Sequence, residues 1–466
     1  MRAISLRAEE PAAKNRLFGR GAMLMMLIVG IVPNGLFLAA MPFFIAERLI
    51  SPLMYLLAAV AAFFLPPFFA YILFALVAAI DLSLIVLIAF HLPVMTALDS
   101  IRFMATIDIA ASVFYIALIS ANFIIALLTA WLFNRYRTEM RLASPIPATV
   151  LALALVAADA RFNLPYVSKA DPDFDSAMSQ NGLDAKVVAA RGNNLLIVLV
   201  EGLGAFADPA ERRLLSGKLE SAAAAGHYTL TSGRTRYAGS TTSAESRELC
   251  GRWGDHLDYI RGPGPFDCLP RGLAAKGYRT AAYHGYTSDM FERDIWYPKI
   301  GFEEFHFAED MIKEKPELVA SRCGSVFLGL CDREVAEVVR SRLLNRGEQP
   351  KLVYWLTLNS HIPFVAKKEG KLACGSVKAA ISNETVCELT ELWGDVFESV
   401  GSIAADPRLP PTDILLVGDH HTPLWERDAK DRFSFGEVDW YFLRSGKVLR
   451  EQRLAARFGG ISLRLR

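Results

Sequence analysis

Cysteine is missing from the first 249 of 466 residues, and charged side chains are scarce up to about Ala160. The chain as a whole has no excess of either charge: 50 Lys and Arg stand against 49 Asp and Glu, a formal net charge of +1. That balance gives no electrostatic basis for binding nucleic acid. No cysteines are spaced Cys-x-x-Cys, which argues against a zinc ribbon. Internal repeats and low-complexity tracts are absent too, so solenoids are excluded.

What the first third does contain is apolar sequence, in runs too long for a soluble helical core to cover. A signal peptide would stop after one such run; here they recur at about 22–45, 52–66, 67–93, 109–133 and 145–160, which predicts about five spans. Asp81 falls either inside the third span, where a carboxylate must be paired or functional, or at a turn between the second and third. Arginine and lysine set the orientation. Arg2, Arg7, Lys14, Arg16 and Arg20 precede the first run, and Arg135, Arg137 and Arg141 follow the fourth. Both groups belong in the cytoplasm, so an odd number of crossings delivers the rest outside. The expectation is a multi-pass protein of the plasma (inner) membrane with an extracytoplasmic domain.

The cysteines agree with that side assignment. All six (Cys250, Cys268, Cys323, Cys331, Cys374, Cys387) lie in the later part of the chain. An even number there suggests disulfides in an oxidising compartment. Neighbour pairing, 250 with 268, 323 with 331 and 374 with 387, is the expectation.

The division expected is a transmembrane domain over 1–160, a polar linker over 161–192 and a catalytic domain over 193–466. In the last, short apolar runs at 195–200, 280–283, 352–358 and 414–417 read as buried strands. Helix-like stretches at 209–225, 242–249, 268–276 and 332–344 alternate with them. The pattern predicts an α/β sandwich with a largely parallel central sheet. Ligands of such sheets bind beyond the carboxyl ends of the strands. The residues there are Glu201-Gly202, His284-Gly285, Asn359-Ser360-His361 and Gly418-Asp419-His420-His421. One histidine at a strand end is ordinarily a loop residue. Carboxylates and imidazoles at four ends together supply the oxygen and nitrogen ligands of a divalent metal, Mn or Zn.

The segment Gly239-Ser240-Thr241-Thr242-Ser243-Ala244-Glu245 precedes a helix-like stretch. Its hydroxyls suit an N-cap, and a helix N-terminus also favours a phosphate. With Glu201, Asn359-Ser360-His361-Ile362-Pro363-Phe364 and Gly418-Asp419-His420, this segment resembles the alkaline phosphatase superfamily. Within its sulfatase-like branch it resembles the lipoteichoic acid synthase-like phosphoglycerol transferases and the phosphoethanolamine transferases. The resemblance implies metal ligands at Glu201, Thr241, Asp419 and His420, with Thr241 as nucleophile. It places Phe291 and Arg293 beside the substrate phosphate and His284, His361 and His421 around the pocket, His361 as acid or base. The family has tryptophan at the position of Phe291. Sulfatases carry a proline where this chain has Glu245, which argues against sulfate-ester chemistry.

The activity so implied is transfer of a phospho-headgroup, phosphoglycerol or phosphoethanolamine, through a phosphothreonine. The donor would be a membrane phospholipid, phosphatidylglycerol or phosphatidylethanolamine, and the acceptor an exported glycan or lipid. A hydrolase on the same site, and a catalytically silent membrane scaffold, are the alternatives.

Overall fold

A computed structural model describes residues 19–446 apart from 49, 90, 91, 167–172, 227, 346 and 348. Four of the N-terminal cations, Arg2, Arg7, Lys14 and Arg16, lie outside the described residues. The chain divides into two compact units: Met1–Ala89, Ser112–Val167 and Trp425–Arg427 make the first, and Phe90–Ala111, Ser168–Leu424 and Asp428–Arg466 the second.

The first unit is helical. Among the described residues three helices are long and apolar enough to cross a membrane, Pro67–Ala89, Ile109–Arg141 and Ile146–Tyr166, which corrects the expectation of about five spans. The first apolar run is broken at Val32-Pro33-Asn34, a turn between Met26–Ile31 and the helix Gly35–Ala40. Proline lacks the N–H that would continue the helix. The second run yields only Ser51–Ala62, 12 residues, about 18 Å of helix against a hydrocarbon core of about 30 Å. Arg135, Arg137 and Arg141 do not form a loop but end the helix Val113–Arg141. There Arg137 Nη2 donates to the carbonyls of Ala62 (2.7 Å) and Leu65 (2.6 Å), closing the helix Ser51–Ala62.

Met25, Tyr55, Phe74, Ala126 and Phe133 share the core of this unit. Asp81 is inside the helix Pro67–Ala89 and fully buried. Arg48 meets it with Nε 2.9 Å from Oδ2 and donates from Nη1 to Asn34 Oδ1 at 3.0 Å. The reading of Asp81 as a turn residue is thereby replaced by that of a paired carboxylate inside a candidate span.

The second unit is built on a seven-stranded sheet. Its strands are β1 (Asn194–Val200), β2 (Tyr228–Arg236), β3 (Arg279–His284), β4 (Glu304–His306), β5 (Lys351–Leu356), β6 (Thr412–Gly418) and β7 (Glu437–Ser445). Their order is β2-β7-β6-β1-β5-β3-β4. The run from β6 to β4 is parallel, and β7 lies antiparallel to both β6 and β2. β1, β5 and β6 are buried along their whole length, as strands covered on both faces must be. That is why they were legible as continuous apolar runs. On one face the helices Pro209–Gly226, Asp332–Leu344 and Glu384–Ala405 pack around Trp393, Phe397 and Trp355. On the other, Leu249, Tyr259, Trp296 and Tyr297 fill the core.

The stretch expected as linker is partly structured. Ala177–Gln180 and Ala185–Arg191 are helices, and Ala177, Met178, Leu183 and Val188 join that second core. The cysteines pair as neighbours: Cys250–Cys268, Cys323–Cys331 and Cys374–Cys387.

Candidate metal and nucleophile site

Glu201 is the first residue after β1, and Asp419 and His420 are the first after β6, which runs beside β1. The two turns touch: a Cβ added to Gly418 would lie 1.9 Å from the Leu203 carbonyl oxygen, so no larger residue fits. Gly202, at φ +67°, takes the left-handed conformation that turns the chain there. Its N–H donates to Asp419 Oδ1 at 2.7 Å, and the His420 N–H donates to the same oxygen at 2.6 Å. Behind Glu201, Ser360 Oγ (2.6 Å) and Trp393 Nε1 (3.0 Å) both donate to its carbonyl.

The side chains converge in front of these turns. His420 Nε2 lies 3.3 Å from Asp419 Oδ2 and 3.6 Å from Glu201 Oε1. His420 Nδ1 is 3.0 Å from the His421 carbonyl, which can only accept. The proton therefore sits on Nδ1, leaving a lone pair on Nε2 facing the two carboxylates. Glu201, Asp419 and His420 form the group whose ligand atoms all lie within 4.8 Å of one another. Asp419 Oδ2 is buried without a hydrogen-bond partner. Burial, and next the Asp419 carboxylate beside it, push the Glu201 carboxyl well above its usual range. Two adjoining carboxylates, an orphaned oxygen and an imidazole lone pair fit a divalent cation, and the mixed oxygen and nitrogen set suits Mn²⁺ or Zn²⁺.

Thr241 is the first residue of the helix Thr241–Cys250. Its Oγ1 lies 3.3 Å from Glu201 Oε2 and 3.4 Å from His420 Nε2. Thr242, its neighbour, is fully buried. Every residue from Thr241 to Leu249 is buried, and the helix is held by hydrogen bonds of Arg247 that motif reading did not single out. Arg247 donates to the carbonyls of Gly418 (2.7 Å) and Asp419 (3.1 Å), tying the helix to the turn that carries the ligands. Asp332 does the same for the loop after β5, accepting from the N–H groups of Leu358 (3.0 Å) and Asn359 (2.8 Å). Burial, opposed by these donors, pushes the Asp332 carboxyl up to about 7. A buried helix carrying two arginine–glutamate partners shows no apolar face in its sequence, and that was the available signal.

His361 sits in that loop. Its Nδ1 is 2.7 Å from the Ile362 carbonyl and its ring 4.0 Å from Phe327. Burial lowers it to about 4. His284 ends β3, bonded through Nδ1 to the Leu356 carbonyl at 3.1 Å; burial and then the Arg293 charge hold it well below its usual value. Neither joins the group of potential metal ligands, and neither does His421, whose ring packs on Phe433 at 4.9 Å.

Arg293 departs most from expectation. Its side chain is 2% exposed, with Nη2 3.1 Å and Nε 3.2 Å from Glu245 Oε2 and Nη1 3.2 Å from the Met290 carbonyl. Glu245 is fully buried on the Thr241 helix, also accepting from the hydroxyls of Tyr297 and Tyr354. A carboxylate so placed needs a cation beside it, and Arg293 is that cation rather than a free fork for phosphate. Phe291 stands at φ +57° and Glu292 at φ +49°, two consecutive non-glycine residues in the left-handed region. The Phe291 ring meets His256 at 5.0 Å and Phe103 at 5.4 Å.

Residues 193–380, less than half of the chain, match the Sulfatase family model. That match falls in the class that the motifs resemble. Solved structures similar in fold include the lipoteichoic acid synthase LtaP from Listeria monocytogenes, at 16% identity and TM-score 0.42, covering 56% of this chain and 67% of that one. The Streptococcus pyogenes phosphoglycerol transferase GacH in complex with sn-glycerol-1-phosphate is 16% identical, with TM-score 0.38 and coverage of 55% and 71%. The C-terminal periplasmic domain of EcEptC from Escherichia coli is 12% identical, with TM-score 0.37 and coverage of 56% and 75%. No curated protein matches the chain. At these scores the neighbours carry no inference about the reaction, which rests on the site itself.

Proposed function

We propose that the protein is a membrane-anchored, metal-dependent transferase that moves a phospho-headgroup from a phospholipid to an exported hydroxyl acceptor. The observation that carries this reading is the convergence of a threonine hydroxyl, at a helix N-terminus, on two carboxylates and an imidazole lone pair. A divalent cation held by Glu201, Asp419, His420 and Thr241 would supply charge neutralisation for a phosphate and lower the pKa of the hydroxyl. Thr241 Oγ1 attacks the phosphorus of phosphatidylglycerol or phosphatidylethanolamine. The bond from phosphorus to the diacylglycerol oxygen breaks, and that oxygen leaves with a proton. The headgroup phosphate is then an ester of Thr241. An acceptor hydroxyl on a glycan or lipid attacks it, gives its proton to a base and frees the threonine. His361 suits the base role, since its Nδ1 proton faces a carbonyl and Nε2 keeps the lone pair. The helix N-terminus favours the phosphate oxygens, and Arg293 acts on them only through the helix it holds.

Three crossings keep the parity that five would have. With the N-terminal cations and Arg135, Arg137 and Arg141 inside, residues 90–111 and everything after the third span are outside. Apart from Trp425–Arg427, both of those stretches fall in the second unit, and the disulfides suit the same compartment.

The test is mass spectrometry of the full-length protein after incubation with phosphatidylglycerol or phosphatidylethanolamine. A headgroup adduct on the Thr241 peptide is expected, and its mass names the donor. Thr241→Ala should abolish both adduct and turnover, a loss of about 1,000-fold or more, while Thr242→Ala keeps them. Turnover in both variants would sink the covalent mechanism. Product that carries water in place of the acceptor would identify the hydrolase instead.

A further inference from the structure

Residues 94–106 belong to the second unit, and their two faces differ. The helix Val94–Ser100 and the 3-10 turn Ile101–Thr106 direct one side at that unit. Thr96 bonds to Asp255, Asp99 lies 3.3 Å from His256 Nε2, and Arg102 reaches Glu292 at 2.7 Å. Phe103 packs on Phe291, and the Tyr286 hydroxyl donates to the Thr106 carbonyl. On the other side Val94, Met95, Leu98, Ile101 and Met104 are 48–64% exposed. Positions 94, 98 and 101 follow helical spacing, so these side chains form one stripe. It bears no acidic residue.

We propose that this stripe rests on the surface of a lipid bilayer, as an interfacial helix. Chain continuity selects the occupant. Only residues 90–93 separate Val94 from the candidate span Pro67–Ala89, and only Ile107 and Asp108 separate Thr106 from the candidate span Ile109–Arg141. Four residues reach about 14 Å at most, so both ends of the segment are tethered where those helices leave the hydrocarbon. An amphipathic helix at that depth buries its apolar face about 5–10 Å into the headgroup and acyl boundary. Its polar face simultaneously holds Phe291 and Glu292, the left-handed turn that leads into Arg293. The proposal does not depend on which reaction the site performs.

All six cysteines are in disulfides, so an added cysteine is a unique label site. The full chain carrying Leu98→Cys or Ile101→Cys, tagged with an environment-sensitive fluorophore, is reconstituted in phosphatidylcholine vesicles. Val187→Cys, exposed on the helix Ala185–Arg191, is the control. Replacing the lipid with its acyl-brominated form should quench the labels at 98 and 101 at least two-fold and leave the label at 187 unchanged. Labels at 98 and 101 that respond to aqueous iodide and not to brominated lipid would overturn the proposal. So would labels shielded from both quenchers, which would mean that protein, a second copy or another segment, covers the stripe. Met95→Cys, on the same stripe, serves if either label perturbs folding. Because the readout is contact with lipid, failure here and failure of the transferase reading are separable.

Discussion

Each unit buries charge, and the two do so in opposite ways. In the helical unit, Arg48 and Asp81 lie side by side out of solvent, and both carboxylate oxygens are occupied, by Arg48 and by the Ser51 hydroxyl. In the sheet unit, Glu201 and Asp419 adjoin each other with only a histidine between them, and Asp419 Oδ2 has no hydrogen-bond partner. A buried pair that is complete holds helices together. A buried cluster that lacks positive charge is unstable alone and ready for a cation. The Arg293–Glu245 pair shows that the rule is local: it lies in the sheet unit yet is of the completed kind, and it serves the site only by holding the Thr241 helix.

The largest test of this contrast is Asp419→Asn. Divalent metal measured on the purified protein should fall from about one per chain to near none, and headgroup transfer by roughly 1,000-fold. The metal-free melting midpoint should not drop, because one of two repelling carboxylates is gone while its Oδ1 still accepts the two backbone N–H bonds. A large loss of stability would make the cluster structural and erase the contrast.

Asp81→Leu should do the reverse. It leaves Arg48 buried without its partner, a cost of about 3–5 kcal/mol, seen as lower yield of folded protein and earlier thermal unfolding. The double replacement Arg48→Met with Asp81→Leu should recover much of that loss. A single variant as stable as the parent would mean the pair holds nothing.

A smaller effect separates a buried acid from both. Asp332 is raised to about 7 from the ordinary 3.8, so between those values the folded state binds its proton more tightly than the unfolded chain. The resulting stabilisation is complete below about 4 and is lost as pH rises towards 7. Asp332→Asn should flatten this slope, so that the variant's melting midpoint gains on the parent by a few degrees between pH 5 and pH 7.5. Equal slopes would show that Asp332 does not titrate there. The smallest effect belongs to the exposed pair Arg102–Glu292, where Arg102→Ala should change global stability by no more than about 1 kcal/mol. A greater loss would mean that the juxtamembrane segment supports the whole sheet unit.

The sequence was most informative where a single physical requirement acts on a short stretch. β1, β5 and β6 are covered on both faces and read as unbroken apolar runs, and the ligand residues follow directly from the ends of β1 and β6. β2 and β7, whose sequences mix arginine, threonine and aspartate with aromatics, gave no such run and were missed. Counting apolar residues overstated the spans, because length in sequence ignores the break at Pro33-Asn34 and the brevity of Ser51–Ala62.

What the residues alone determined was the inventory: which carboxylates, imidazoles and hydroxyls stand at strand ends and at a helix start, and which cysteines are near enough to pair. Those follow from local chemistry and chain spacing. Tertiary structure decided how the charges are shared. It placed Arg293 on Glu245, 48 residues away in sequence, and Arg48 on Asp81, while leaving Glu201 and Asp419 without a cation. Coulombic interactions act over ångströms in space, and only folding sets which charges come within that range.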